Sequence, residues 1–84
     1  MNNDEIKIIK ERCDKTTPGP WISFVEGRDH TSGWNFIRTA GDDIELIASV
    51  EDQDFIASCR QDIPLLIDEI VRLKKILDKN GIDY

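Results

Sequence analysis

The sequence predicts a small α+β fold in the order N-terminal helix, three-stranded antiparallel β-meander and long kinked C-terminal helix, αβββα, as a single domain over residues 1–84. Three observations support it. Both ends of the chain carry apolar residues at helical spacing, the middle carries three short runs rich in aromatic and β-branched residues, and turn-forming residues separate those runs. A chain of 84 residues has room for one core only.

The net charge, the length of the apolar runs and the cysteines bear on which partners and which compartment are expected. A formal net charge of −6 disfavours nucleic acid, because the chain repels a phosphate backbone unless its basic residues cluster. No apolar run approaches the roughly 18 residues of a membrane span, so a membrane is not expected as a partner. Cys13 and Cys59 form no CxxC and no signal peptide is evident, which predicts reduced, buried thiols and a cytoplasmic protein. A disulfide or redox pair is the alternative.

The first helix is predicted from Asn3 to about Lys15. Asn2 or Asn3 can cap it, and Asp4 and Glu5 sit where the positive end of the helix dipole favours carboxylates. One apolar stripe follows helical spacing: Ile6, Ile9 and Cys13.

The helix is expected to stop at the segment TPGPW, residues 17–21, because a residue before proline disfavours the α conformation. The same segment predicts a type II turn, with Gly19 at positive φ and Trp21 directed to the core.

Three strands are predicted: Trp21–Glu26, Trp34–Thr39 and Ile44–Val50. Alternation places Ile22 and Phe24 on one face and Val25 on the other. Since both faces of the sheet are partly apolar, the second is expected to be covered by another subunit or a ligand.

The C-terminal helix is predicted to begin with Ser49 or Asp52 as its cap and to end at Gly81 in the left-handed conformation. Pro64 predicts a kink or a break near residues 61–63. A heptad pattern follows, with Ile63, Ile70 and Leu77 seven apart and Leu66 and Leu73 between them. Two interpretations stay open: a helix packed in the chain's own core, and a contact that makes a homodimer.

The polar side chains that could bind a partner or take part in chemistry are concentrated at the tip of the first hairpin, between Gly27 and Gly33. The candidate partner-binding or ligand-binding residues are Arg28, Asp29, His30, Thr31, Ser32, Trp34 and Arg38. No catalytic residue, cofactor or metal is predicted. An enzyme would use His30 as a base with Ser32 or Cys59 as nucleophile, but no third orienting group is evident. One histidine and two isolated cysteines lack zinc-site spacing.

Two binding hypotheses remain. In the first, the acidic chain and its rigid tip mask a basic surface on a host protein or toxin, with charge steering the encounter. In the second, Arg28 and Arg38 bind a small anion such as a nucleotide, Trp34 or Phe36 stacks on a base, and neighbouring polar groups, among them Asn35, complete the site.

Four segments together resemble a group of short, largely uncharacterised proteins of bacteriophages, prophages and mobile bacterial elements. They are TPGPW (17–21), EGRDHTSG (26–33), DQDFIA (52–57) and DIPLL (62–66). The resemblance covers about Arg12 to Leu73 and implies an accessory protein that binds a host factor, a toxin or a small molecule. It carries over no catalytic residues. Trp34 stands where the group's pattern favours a small polar residue.

Overall fold

The fold of residues 1–82, described by a computed structural model, has the predicted element order. The elements are α1 (Asn3–Asp14), β1 (Ile22–Phe24), β2 (Phe36–Arg38), β3 (Ile44–Glu45) and α2 (Val50–Lys79). The strands form one antiparallel sheet in the order β1-β2-β3. The α+β class and the αβββα order are thus confirmed.

Side chains and glycine cap the helices as the sequence indicated. Asn2 and Glu5 form a reciprocal capping box at the start of α1, and the Ser49 side chain accepts a hydrogen bond from the Asp52 backbone N–H at the start of α2. At the other end of α2, Gly81 has φ +69° and the Ile82 N–H donates to the Leu77 carbonyl oxygen at 2.9 Å. This is the Schellman arrangement that satisfies the last carbonyl groups of a helix.

The strands are shorter than predicted, because side chains take over the hydrogen bonds that would extend the ladder. The Asp29 carboxylate accepts from the Val25 N–H, and the Asn35 side-chain oxygen accepts from the Glu26 N–H, both at 2.8 Å. The predicted extension of the third strand to Val50 is wrong, because Val50 is the first residue of α2.

Two local predictions around proline are also wrong. The chain takes no positive φ at Gly19, so there is no type II turn of the expected kind, and the Gly19–Pro20 peptide bond is cis. The predicted break near residues 61–63 does not occur, because α2 continues through Pro64. Packing holds the helix on both sides of this proline: Gln61 is hydrogen-bonded to Trp21, and Ile67 is buried.

The two faces of the sheet have different surroundings. The inner face carries Ser23, Ile37 and Ile44. Its β1 and β2 strands pack against α2, and Ile37 is fully buried there. Ala57 of α2 is buried as well. The outer face carries the residues on the opposite side of the same register: Ile22, Phe24, Phe36, Arg38 and Glu45. Both helices therefore leave the outer face open.

The first helix runs antiparallel to the long one. Lys74 Nζ donates to the Met1 carbonyl oxygen and to Asn3 Oδ1, so the start of α1 lies beside the end of α2. A groove of about 320 Å³ separates the two helices near the other end of α1, and Cys13, Cys59 and Trp21 are among its lining residues. Both cysteines are free thiols. Within residues 1–82 no helix combines the length and apolar character needed to cross a membrane.

Candidate functional site

Gln53 of α2 holds the first two strands together from the inner side of the sheet. Its Nε2 lies 2.9 Å from Ser23 Oγ and 3.1 Å from the carbonyl oxygens of Phe24 and Phe36. Gln53 is 1% exposed, and its Oε1 has no hydrogen-bond partner within residues 1–82. This single amide therefore links α2 to both of the strands that carry most of the outer face.

The segment at residues 17–21 is hydrogen-bonded to the same helix about two turns further on, at Arg60 and Gln61. The Gln61 side chain accepts from the Trp21 N–H at 2.8 Å and donates to the Trp21 carbonyl oxygen at 3.0 Å, which satisfies both backbone groups of that residue. The Thr17 carbonyl oxygen accepts from Arg60 Nε and from the indole N–H of Trp21. Residues 17–21 therefore hold the start of β1 against α2.

The hairpin tip is fastened to α2 by Arg28. Its guanidinium makes a bidentate pair with Asp54, at 2.8 and 3.0 Å, and its Nε donates to Asp29 at 2.9 Å. These bonds lower the pKa of Asp54 to about 2, with a hydrogen bond from Ser23 adding to the effect. They also raise the pKa of Arg28. The pKa of Asp29 is lowered, chiefly by the Val25 N–H and then by Arg28.

The remaining polar groups of the tip mostly hold the loop itself. Gly27, at φ +80°, donates to the His30 carbonyl oxygen, and Gly33, at φ +101°, donates to the Glu26 carboxylate. Both glycines take a conformation that side chains disfavour, so the loop depends on them. Thr31, a predicted binding residue, is exposed on this loop.

His30 is turned into the sheet rather than toward solvent. Its Nδ1 lies 2.7 Å from Ser32 Oγ and accepts from the Ser32 N–H at 3.1 Å, while its ring meets Phe24 and Phe36 edge-on. Because Nδ1 accepts, the neutral ring carries its proton on Nε2, and within residues 1–82 the buried Nε2 has no partner. Among the described residues, no third group therefore orients the ring from its Nε2 side, as one does in a serine–histidine–aspartate triad.

The outer face presents a rigid aromatic cluster. The Phe24 and Phe36 rings stack with centroids 5.3 Å apart and planes 11° from parallel, and the Arg38 guanidinium lies 4.8 Å from the Phe24 centroid. The ring centroids of Trp34 and Phe36 are 6.3 Å apart. Trp34 remains 51% exposed, and Ile22 remains 47% exposed. Carboxylates border this cluster: Glu26, Asp43 and Glu45.

The structure thus divides the predicted binding residues into two groups. Arg28 and Asp29 are occupied in fastening the tip, and His30 with Ser32 supports the back of the aromatic cluster. Trp34 and Arg38 present surface to solvent on the outer side. Asn35, one of the polar groups proposed to contact a ligand, instead accepts from the Glu26 backbone. The sequence prediction missed Phe24 as a member of this surface, although its alternation with Val25 already placed it opposite the core.

Metal binding finds no support in the described part of the chain. Among residues 1–82 no three histidine, cysteine or acidic side chains come together in an arrangement that holds a metal ion.

Comparison with known proteins adds no relative. No protein-family model matches the chain. No curated protein sequence matches it, and no solved structure shows a significant likeness to it.

Proposed function

We propose that this protein is a non-enzymatic binding module that masks a host or toxin protein with the outer face of its sheet. The observation that carries the proposal is the exposed Trp34 and Arg38 pair set around the stacked rings of Phe24 and Phe36. Tryptophan and arginine are the side chains that most often dominate the energy of protein interfaces. Arg38 lies in β2 and Trp34 lies two residues before that strand, and β2 is hydrogen-bonded to Gln53 of α2, so the backbone that carries both side chains is already held in place before binding.

The charges indicate the chemistry of the partner. The net charge is −6, and the aromatic cluster is bordered by Asp43 and Glu45. An apolar patch surrounded by lysines and arginines on the partner complements this surface and is attracted to it at long range. Proteins that act on nucleic acids have such surfaces, which fits a masking role.

Small-anion binding at the tip is less well supported by the geometry. The Arg28 guanidinium already pairs with two carboxylates, so a phosphate would have to displace Asp54 or Asp29. The Arg38 guanidinium lies over the Phe24 ring, and its Nε is 3.9 Å from Asp43 Oδ1. Neither arginine offers an uncommitted anion site.

The cellular setting in the proposal follows from the resemblance and the cysteines. The resemblance to phage and mobile-element proteins supports an accessory protein that acts inside the bacterial host. The free thiols of Cys13 and Cys59 support the reducing cytoplasm as its compartment.

The test begins with affinity capture on the purified protein, followed by isothermal titration with the purified captured partner. We expect the double variant Trp34→Ala/Arg38→Ala to weaken binding at least tenfold, because it removes both anchors. Ile8→Ala, an exposed apolar position on α1, is the matched control and should bind normally.

Equal affinity of the outer-face variant and the wild-type protein would refute the proposed surface. Saturable binding of inorganic phosphate or a nucleotide in the absence of any protein partner, lost on Arg28→Ala, would favour the small-anion hypothesis instead.

A further inference from the structure

The chain is much more extended than its size requires. Its radius of gyration is 16.8 Å, whereas a compact chain of 84 residues has about 12 Å. Its accessible surface is 6268 Å², against about 5,100 Å² for a compact monomer of 9.6 kDa. The excess, roughly 1,200 Å² per chain, is of the size that one copy contributes to a stable dimer interface.

Much of the exposed apolar surface lies along one side of α2. Leu66 is 60% exposed and Leu73 is 46% exposed. Nine residues separate Ala57 from Leu66, so at 3.6 residues per turn Leu66 points away from the buried side of α2. The seam, defined by Ile63, Leu66, Ile70, Leu73 and Leu77, repeats at alternating intervals of three and four residues.

The first helix already covers one edge of this seam and leaves the other open. Ile63 lines the groove between α1 and α2 together with Ile9, so its side of α2 faces α1. Leu66 and Leu73 do not line that groove, and both are exposed. A second helix of matching length can therefore pack against the open edge without displacing α1 or the sheet.

The charges of α2 are arranged so that a second copy of the same helix fits in the opposite direction. Residues 51–69 contain six carboxylates and one arginine, and residues 70–79 contain four basic side chains and one aspartate. Antiparallel helices that cross near Ile70 bring the acidic part of each chain beside the basic part of the other. Parallel helices bring like charges together.

The levels of individual charged residues along the axis of α2 agree with this direction. With the crossing between residues 70 and 71, Glu69 lies level with Arg72 of the partner subunit, and Asp62 lies level with Lys79 of the partner subunit. Leu66 then lies near Leu73 of the partner subunit. Helix dipoles also pair favourably when the helices are antiparallel.

We propose that the protein forms a homodimer in which two α2 helices pack antiparallel through the open edge of the seam. The outer faces of the two sheets remain free in this arrangement, because the sheet lies on the opposite side of α2. The dimer proposal is thus independent of the proposed masking function: an experiment can refute either one and leave the other standing.

The test is light scattering coupled to size exclusion at micromolar concentration. We expect the wild-type chain at twice 9.6 kDa and the double variant Leu66→Gln/Leu73→Gln at 9.6 kDa, with unchanged helix content by circular dichroism. The matched double variant Ile8→Gln/Ile47→Gln, at two exposed positions away from the seam, should remain a dimer. A monomeric wild-type chain, or a seam variant that still dimerises, would overturn the proposal.

Direction is tested separately by disulfide cross-linking in a Cys13→Ser/Cys59→Ser background. One chain carries Leu65→Cys and the other, distinguishable by a mass tag, carries Ile76→Cys, both at exposed positions. Antiparallel packing predicts cross-links between the two different chains. Cross-links only between identical chains would show parallel helices and overturn the proposed arrangement.

Discussion

Arg28 of the hairpin tip and Asp54 of α2 form a bidentate ion pair, with nitrogen–oxygen distances of 2.8 and 3.0 Å. The pair joins residues 26 positions apart and fixes the tip against the second turn of the long helix. Its geometry matches the planar fork of arginine to the two oxygens of a carboxylate, which lysine cannot reproduce. The tip is therefore part of the framework that supports the outer face.

The first prediction concerns the pH dependence of this pair. Asp54→Asn should lower the melting temperature at pH 6, and its difference from the wild-type protein should shrink toward zero as the pH falls to 2. The folded-state pKa of Asp54 is lowered to about 2, so its contribution is complete above the unfolded-state pKa and is lost as the pH falls through the folded-state value. Thermal unfolding followed by circular dichroism from pH 6 to pH 2 measures this.

Asp52→Asn is the matched control for that series. Asp52 is exposed in the first turn of α2, two residues before Asp54, and removing its charge should not produce the Asp54 profile. A melting-temperature difference for Asp54→Asn that stays constant over the whole pH range would contradict an ionic role for this pair.

The second prediction concerns Gln53, whose amide lies between α2 and two strands. Gln53→Met keeps the length of the side chain but removes the donor near the Phe24 and Phe36 carbonyl oxygens. We expect a loss of about 2 kcal/mol in the free energy of unfolding, because buried acceptors lose a partner. Urea unfolding measures it, with exposed Ser58→Ala on the same helix as control. Unchanged stability would mean that the amide contributes no net energy.

Local signals were sufficient to predict the elements of the fold. Asn2, Ser49 and Gly81 act at helix ends through hydrogen bonds within a few residues, which a sequence displays directly. The alternation of Phe24 with Val25 likewise predicted the two faces of the sheet. These properties depend on neighbours in the sequence alone.

Long-range contacts explain what the sequence did not reveal. Gln53 and Gln61 have no local pattern that distinguishes them from solvent-exposed helix residues, yet both are bound to segments 17 to 40 residues away. Arg28 looked available for an anion because Asp54, its main partner, lies in another element. Pro64 predicted a break because the packing of Gln61 and Ile67 on either side of it was unknown.

The third prediction tests whether Gly19 has the backbone conformation seen in the structure or the positive φ of the type II turn that the sequence suggested. Gly19 lacks a positive φ, and a Cβ there would meet Gln61 Oε1 at 3.4 Å, an ordinary contact. Gly19→Ala should therefore change the free energy of unfolding by less than about 0.5 kcal/mol. Gly27→Ala, where φ is +80° and no atom lies within 4 Å of the added Cβ, should cost about 1 kcal/mol from backbone strain alone. Urea unfolding of both variants decides, and a larger loss at Gly19 than at Gly27 would contradict the observed turn.

The fourth prediction concerns the rate at which the protein meets its partner. Asp43→Asn/Glu45→Gln removes two carboxylates beside the aromatic cluster and leaves Trp34 and Arg38 in place. We expect slower association at low ionic strength, about threefold or more, with little change in dissociation, because border charges steer the encounter more than they hold the complex. Glu11→Gln/Asp14→Asn removes the same charge from exposed positions on α1 and should have a smaller effect. Surface plasmon resonance at two salt concentrations distinguishes them: equal slowing by both variants would attribute steering to net charge, and no slowing by either would exclude a basic partner surface.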